Sequence, residues 1–296
     1  MVDIGKLKQK KTVKELLEFG IINIDKPSGP TSFDVSDFVH KTLRDFGIRK
    51  TSHFGTLDPK VTGVLPIALN RACKLTGFFL GEDKEYVGIM KIHEEISIND
   101  LQKVINDKFL GKIKQLPPVK SRVARVERER EIKSFEVLEK NGKDFLFKTH
   151  VQGGTYIRKL VHDLGEELGF GAHMLELRRV RAGIFKEEKS YTLYELEKAV
   201  EDYKNEKEEL IREMINPAEV VSEVYPIVQI KEESADRILH GQPLYSENLV
   251  KSIKTELGDR VCVFSENDFI GVFKVILEGR VFAKPEFVLQ PIEKNK

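Results

Sequence analysis

The chain has 296 residues, of which 40% are hydrophobic and 33% charged, and its 49 lysines and arginines nearly balance 48 aspartates and glutamates. This length and composition exclude a small stapled module and a disordered chain, and a net charge of +1 argues against a general polyanion-binding protein. No apolar run approaches the roughly 18 residues of a membrane span, and the basic start lacks the apolar stretch of a secretory signal, so we expect a cytoplasmic protein.

Apolar residues at helical and alternating spacing predict the regular elements. Ser32 is expected to cap a helix that stops at Gly47, and Ser97 with Asp100 to open another. We expect residues 51–66 to form an irregular loop, because glycines, prolines and small hydroxyl residues interrupt every period there. Helices are predicted at 13–19, 32–46, 97–109 and 157–164. Strands are predicted at 20–24, 84–93, 145–152, 226–230, 260–264, 269–275 and 280–283.

Helices and strands interleave without a regular βαβ period and without an internal repeat. The pattern therefore predicts an α+β fold with a mixed sheet rather than a doubly wound parallel one. After Asn216 and Pro217 the chain becomes strand-rich with close turns, which predicts a separate small β domain.

Positive charge is concentrated in two segments. Seven basic residues between Lys112 and Arg130 face only Glu127 and Glu129, and Arg178, Arg179 and Arg181 form a second group. A charge run is most often a solvated face, but two basic segments without acidic balance favour a nucleic-acid partner. The candidate RNA contacts in these segments are Lys120, Arg122, Arg125, Arg178 and Arg179.

The candidate catalytic residues lie in segments that contain several glycines. Asp58 is on a loop held by Gly55, Pro59 and Gly63, where a carboxylate is positioned well for a nucleophile or base, although an isolated Asp-Pro commonly only begins a turn. Arg158 follows a Gly-Gly turn and would hold Asp58 ionised if the two met; otherwise it is a surface arginine at a helix start.

Several enzyme classes lack their motifs. There is no nucleophile elbow, phosphate-binding P-loop, dinucleotide fingerprint or HExxH zinc motif. Cys73 and Cys262 are far apart and are interpreted as buried thiols rather than as a disulfide or zinc site.

Taken together, a set of segments resembles the TruB and dyskerin family of RNA pseudouridine synthases, and within it the archaeal branch, the homologues of dyskerin that serve as catalytic subunits of H/ACA ribonucleoproteins. The segments occur in the family's order and cover most of residues 20–190. A tail from about residue 223 resembles a PUA RNA-binding domain, through residues 240–243 and 258–263, and makes Gly241 a further candidate RNA contact. The segments are Ile24–Ser32, His53–Pro66, Lys84–Tyr86, Pro117–Ser121, Gly154–Leu160 and Leu177–Arg179.

The resemblance implies an α+β catalytic domain with a mixed, largely antiparallel sheet and a small β-barrel-like PUA domain. It divides the chain into an N-terminal extension at 1–19 that packs on the PUA domain, a catalytic domain at 20–222 and the PUA domain at 223–296. It also implies that a uridine loses its N1–C1′ bond and is rejoined through C5, with neither a cofactor nor a metal.

The resemblance also assigns roles to individual residues. Asp58 is the catalytic aspartate, Arg158 pairs with it, and Tyr86 stacks on the uracil and assists removal of the C5 proton. The remaining positions are matched to substrate contacts or to support of the catalytic loop. Leu177 is the apolar wall, His53 contacts the flipped base, Lys74 is a basic group near the site, and Lys26 with Pro27 supports the loop.

Three functions remain open at this point. The first is a synthase guided by an H/ACA RNA, which acts on ribosomal and transfer RNA. The resemblance gives it three companions: a small zinc-ribbon-like helper, a Gly/Arg-rich-type β-barrel protein and a kink-turn-binding protein. The second is a stand-alone transfer-RNA uridine synthase. The third, a non-catalytic RNA-binding scaffold, predicts a degenerate acid site, whereas Asp58, Tyr86 and Arg158 are all present.

Overall fold

The computed structural model describes residues 2–117 and 124–290. The α-helices are α1 (Ile4–Lys10), α2 (Val13–Glu18), α3 (Ser32–Leu43), α4 (Thr76–Leu80), α5 (Ile98–Lys108), α6 (Ile157–Leu168), α7 (Leu193–Lys204), α8 (Glu209–Met214) and α9 (Glu232–Leu239). The first ten strands are β1 (Gly20–Lys26), β2 (Thr51–His53), β3 (Thr62–Leu69), β4 (Lys84–Ile92), β5 (Gly111–Gln115), β6 (Arg128–Asn141), β7 (Asp144–Val151), β8 (Ala172–Ala182), β9 (Phe185–Lys186) and β10 (Ile215–Pro217). The last five are β11 (Ile227–Gln229), β12 (Leu244–Tyr245), β13 (Arg260–Ser265), β14 (Asp268–Glu278) and β15 (Val281–Val288).

The first ten strands form one sheet in the order β10-β1-β3-β8-β4-β7-β6-β5, with β2 added on β3 and β9 on β8. All described pairs in it are antiparallel except β3 with β8, which run parallel through Thr62↔Arg178 and Gly63↔Arg179. Alternate side chains of β4 are buried, and helices α2, α3, α5, α6, α7 and α8 add their apolar sides to the same core. The predicted mixed, largely antiparallel α+β fold is confirmed.

The last five strands form a second sheet in the order β11-β13-β14-β15-β12, a half-barrel with its own hydrophobic cluster. The four predicted C-terminal strands are all present. The boundary between residues 222 and 223 stays a prediction.

Three local predictions need correction. Thr31, not Ser32, caps α3, through a reciprocal pair of hydrogen bonds with Asp34, while Ser32 is buried. The segment predicted as one loop contains β2 and β3 at its ends, so only residues 54–61 are irregular. Strands β5, β6 and β8 were not predicted, because their many charged residues obscure the alternation.

The N-terminal residues pack more widely than predicted. Val2, Ile4 and Leu7 lie against a hydrophobic cluster that both sheets share, whereas α2 contributes Val13, Leu16 and Leu17 to the main core. Side-chain packing is thus continuous across Gly20, the first residue after the predicted N-terminal extension.

The shared cluster has Phe19 at its centre. The ring of Phe19 stacks at 6.0 Å on Phe269 and at 5.9 Å on Phe287, both in the C-terminal sheet. An ion pair of 2.5 Å between Lys11 and Glu219 closes one side of it. No helix in residues 2–117 or 124–290 has the length and apolar character needed to cross a membrane.

Candidate active site

A cleft of about 1090 Å³ opens beside the parallel pair β3–β8. Its walls are the irregular loop 54–61, the start of β4, the turn before α6, and β8. Among the predicted catalytic and substrate-binding residues, Asp58, Tyr86, Arg158 and Leu177 line it. The described residues contain no group of three or more His, Cys, Asp or Glu side chains placed to hold a metal ion.

Asp58 and Arg158 meet across the cleft. A terminal guanidinium nitrogen (Nη2) of Arg158 lies 2.6 Å from carboxylate oxygen Oδ2 of Asp58, and the side chains are 61% and 49% exposed, respectively. An ion pair this exposed contributes about 0–1 kcal/mol to folding. The ion pair therefore matters for orientation, because Arg158, in the first turn of α6, fixes the direction of the Asp58 carboxylate.

Lys26 supports the loop that carries Asp58. Its side chain is wholly buried, and its ammonium donates to the backbone carbonyls of Pro27 at 2.9 Å, Pro59 at 3.1 Å and Val61 at 2.9 Å. Burial lowers the pKa of Lys26, and the negative charge of Asp58 opposes that shift. The backbone carbonyls of Pro59 and Val61, which follow Asp58, are thus hydrogen-bonded to a side chain of β1.

Two more buried side chains, both missed as loop supports, hold the loop before Asp58. The Ser32 hydroxyl accepts a hydrogen bond from the backbone N–H of Leu57 at 2.8 Å and donates to its carbonyl at 2.9 Å. Arg179 is 1% exposed and donates to the carbonyls of Val64 at 2.8 Å and Gly55 at 3.0 Å. Ser32 after a turn is a weak sequence signal of this role, and Arg179 has none, because it stands among the other charged residues of β8.

The pairing of β4 with β8 positions the cleft floor. Tyr86 lies opposite Arg179, and Gly88 opposite Leu177. Leu177 and Arg179 are two residues apart and so point to the same face of β8. Burial lowers the pKa of Arg179, which the neighbouring Tyr86 hydroxyl partly offsets. An apolar wall and a phenol ring therefore sit beside the carboxylate.

Two predicted substrate contacts lie outside this lining. His53 is on β2 and faces a neighbouring groove, and burial together with Arg179 lowers its pKa. Lys74 is exposed on the short 3₁₀ segment Asn70–Leu75. Their roles stay predictions.

The second basic segment is balanced by acids, contrary to the prediction. Arg178 makes a two-pronged ion pair with Asp25 at 3.0 and 2.9 Å and a further one with Glu187 at 2.5 Å. Arg179 is buried on carbonyls, and Arg181 lies 2.8 Å from Glu85. Arg178 and Arg179 are thus engaged within the protein, and their contact with RNA stays a prediction.

The first basic segment is partly balanced too. Lys112 pairs with Glu129 at 2.9 Å and Lys114 with Glu127 at 3.2 Å across β5 and β6. Lys120 and Arg122 lie outside the described residues. Arg125 is exposed and lines the rim of the cleft.

The remaining predicted RNA contact is in the C-terminal half. Gly241 lies in an exposed turn after α9 with a φ of +90°, a conformation that favours glycine. Its contact with RNA stays a prediction.

Replacing Arg125 with glutamine is expected to weaken RNA binding and to flatten its salt dependence. Without one cation at a phosphate, the slope of log K against log[salt] becomes shallower by about 1, because fewer counterions are released. Titrations of RNA at several salt concentrations measure this slope. Lys112→Gln is the matched control, since Glu129 already neutralises that cation. An unchanged slope in Arg125→Gln would place the RNA path elsewhere.

Lys84 is a second buried ammonium in the cleft wall. It is 4% exposed and donates to the carbonyls of Leu80 at 2.8 Å and Glu82 at 2.5 Å. Burial, reinforced by the positive charge of Arg179 and opposed by Glu82 and Asp83, lowers the pKa of Lys84 to about 8.

This shift predicts a pH dependence of stability. Between pH 8 and 10.5 the unfolded chain binds a proton at Lys84 that the folded chain does not, so the contribution of Lys84 to the free energy of unfolding rises with pH across that window, by up to about 3 kcal/mol. Burial raises the pKa of Cys73 to about 11 and that of Cys262 to about 12, which acts in the opposite direction, so the Lys84 contribution is measured as a difference between proteins in urea unfolding at both ends of the window. Wild type and Lys60→Met should share the Lys84 contribution. Lys84→Met should lack it. Parallel pH dependences in wild type and Lys84→Met would contradict the assignment.

Comparison with known proteins gives concordant matches. Residues 43–157 match the TruB family pseudouridylate synthase N-terminal domain, and residues 158–222 match the tRNA pseudouridylate synthase B C-terminal domain. A protein from Methanopyrus kandleri named "Probable tRNA pseudouridine synthase B" is 43% identical over 259 residues, 87% of this chain and 75% of that protein. One of the same name from Archaeoglobus fulgidus is 42% identical over 278 residues, 91% of this chain and 83% of that protein.

Solved structures match over nearly the whole chain. A Cbf5-Nop10-Gar1 complex contains a chain that is 37% identical, with a TM-score of 0.88, over 96% of this chain and 89% of that one. An H/ACA RNP bound to a substrate RNA containing 2′-deoxyuridine contains one that is 36% identical, with a TM-score of 0.85 and the same coverage.

Proposed function

The chain belongs to the TruB family of pseudouridylate synthases and is an RNA pseudouridine synthase, and from this premise we propose that it works as the catalytic subunit of an H/ACA guide-RNA ribonucleoprotein. The similarity to Cbf5 chains over 96% of this chain, C-terminal sheet included, supports this assignment. Those chains were solved with Nop10, with Gar1 or with RNA, which supports guide RNA, substrate RNA and small proteins as partners here.

The observation that carries the chemistry is a single carboxylate on a loop tied down at four points. Lys26 holds Pro59 and Val61, Ser32 holds Leu57, and Arg179 holds Gly55. Asp58 is thereby presented to the cleft in one orientation, as a nucleophile must be. One carboxylate is enough for an isomerisation, whereas glycoside hydrolysis needs two because a sugar departs and a water enters.

The proposed roles of the other cleft residues follow from their position. Arg158 orients Asp58, while Tyr86 and Leu177 enclose the uracil while it turns between loss of N1–C1′ and formation of C5–C1′. The target base must leave its stack to reach Asp58, at a cost of about a few kcal/mol. Tyr86 and Leu177 offset this cost by offering the base a new contact surface.

Release of tritium from C5-labelled uridine tests the proposal. Release from a target RNA that requires a matching guide RNA and the companion proteins supports the guided enzyme. A mismatched guide is the control, because it retains the RNA and protein contacts but moves the pairing. Equal release with matched and mismatched guides would count against guidance.

A stand-alone transfer-RNA synthase is the second candidate, because the Methanopyrus and Archaeoglobus relatives carry that name. It predicts full activity on naked transfer RNA with no guide or companion. Comparing kcat/KM on transfer RNA alone with that of the assembled particle on its guided target distinguishes the two.

A further inference from the structure

A groove of about 360 Å³ adjoins the start of the loop that carries Asp58, and its lining includes Phe33, Ser36, His40, Arg49, Lys50 and His53. His53 faces this groove, whereas Gly55 to Asp58 line the cleft, so one short loop separates the two spaces. We call it the Phe33 groove.

Phe33 is 72% exposed, although it stands in the first turn of α3 beside the most constrained part of the chain. Its neighbour Ser32 is buried and bonded twice to Leu57, so the backbone of Phe33 is fixed relative to the Asp58 loop. A solvent-facing aromatic ring on a fixed backbone is a surface on which an unpaired base can stack.

Exposed cations complete the groove, and a buried nitrogen of His53 lies behind its wall. Arg49 is 78% exposed, with Glu18 at 3.4 Å as an outlying partner, and Lys50 is exposed as well. The acid in the lining, Asp37, is paired with Lys41 at 2.6 Å. Nδ1 of His53 is buried and has no hydrogen-bond partner among the described residues. The groove thus offers a stacking face and positive charge for a phosphate.

We propose that the Phe33 groove binds the unpaired nucleotide next to the target uridine, with its base on Phe33 and its phosphate near Arg49 and Lys50. The inference rests on the RNA pseudouridine synthase activity and extends it to a second nucleotide subsite. His53 in the groove and Gly55 in the cleft are two positions apart, so an RNA that places its uridine at Asp58 can reach the groove with a neighbouring nucleotide.

Phe33→Ala tests the subsite. Loss of a base stack should raise the KM for substrate RNA about 10-fold or more, while kcat at saturating RNA changes little. Phe33→Tyr should restore the wild-type KM, since it keeps the ring. Tyr194→Ala is the matched control, because Tyr194 is 74% exposed on α7 and does not line the groove. A 2-aminopurine beside the target uridine should be quenched by the wild type and not by Phe33→Ala.

The outcomes separate this inference from the proposed function. If Phe33→Ala matches the wild type in both KM and 2-aminopurine quenching while pseudouridine forms normally, the subsite is wrong and the synthase stands. If the wild type forms no pseudouridine under any condition, the proposed function fails first. A fall in kcat together with a lower melting temperature would assign Phe33 to folding and overturn the subsite.

Discussion

Replacing Asp58 with asparagine is expected to abolish pseudouridine formation, by on the order of 10⁴-fold or more in kcat, while RNA binding stays close to wild type. The amide keeps the shape of the side chain but lacks the negative charge that Arg158 orients at 2.6 Å. Because that pair is largely exposed, its loss should change the free energy of unfolding by no more than about 1 kcal/mol. Tritium release, RNA titration and thermal melting measure the three quantities.

The control for this substitution is Asp107→Asn, which removes an exposed carboxylate from α5, outside the cleft lining. It should retain full activity. A parallel loss of product formation and RNA binding in Asp58→Asn would identify Asp58 as a residue needed for folding or RNA contact instead of catalysis.

Replacing Gly63 with alanine is expected to destabilise the protein by about 3 kcal/mol or more and to remove activity with it. A Cβ at Gly63 would lie 2.2 Å from the carbonyl oxygen of Arg179, and the residue has a φ of +100°. Gly63 pairs with Arg179 in the parallel contact of β3 with β8, so relief of the clash must separate the strands. Arg179 would then withdraw its hydrogen bond from Gly55.

Gly47→Ala separates the two causes of this loss. Gly47 also has a positive φ, +85°, but nothing lies within 4 Å of its added Cβ. It should therefore show only the backbone cost, about 1–2 kcal/mol. Denaturant unfolding of both variants gives the difference due to the clash, and equal losses would mean that β3 and β8 separate without strain.

Regular elements with a clear period were predictable from the sequence. Ser97 and Asp100 mark the start of α5, and alternation marks β4, because these signals are local. By contrast, β8 carries Glu176, Arg178, Arg179 and Arg181 and has no apolar alternation. Its charges are compensated by residues as distant as Asp25 and Glu85, which only the folded topology brings close.

The candidate site likewise contains some residues that could be identified from the sequence and some that could not. Asp58 and Arg158 could be identified from their segments, and the structure places them in contact. The resemblance names Lys26 as a support of the loop, but Ser32 and Arg179 could not be identified in advance, because they bind the backbone of Leu57, Val64 and Gly55, far along the chain. In the sequence, a buried arginine or lysine that donates to backbone carbonyls cannot be distinguished from an exposed one that binds phosphate. Its function depends on its exposure, which a linear pattern does not contain.

The hydrophobic cluster around Phe19 reaches from Phe287 in the C-terminal sheet to Phe54, at the start of the Asp58 loop. Close-packed interiors resist changes in distance, so the separation between that sheet and the reactive carboxylate is constant. An RNA that contacts both places must present its reactive uridine at a set number of nucleotides from the end held by the sheet. If the C-terminal sheet holds the RNA, the fixed separation would select a uridine by the length of the intervening RNA and not by its base sequence.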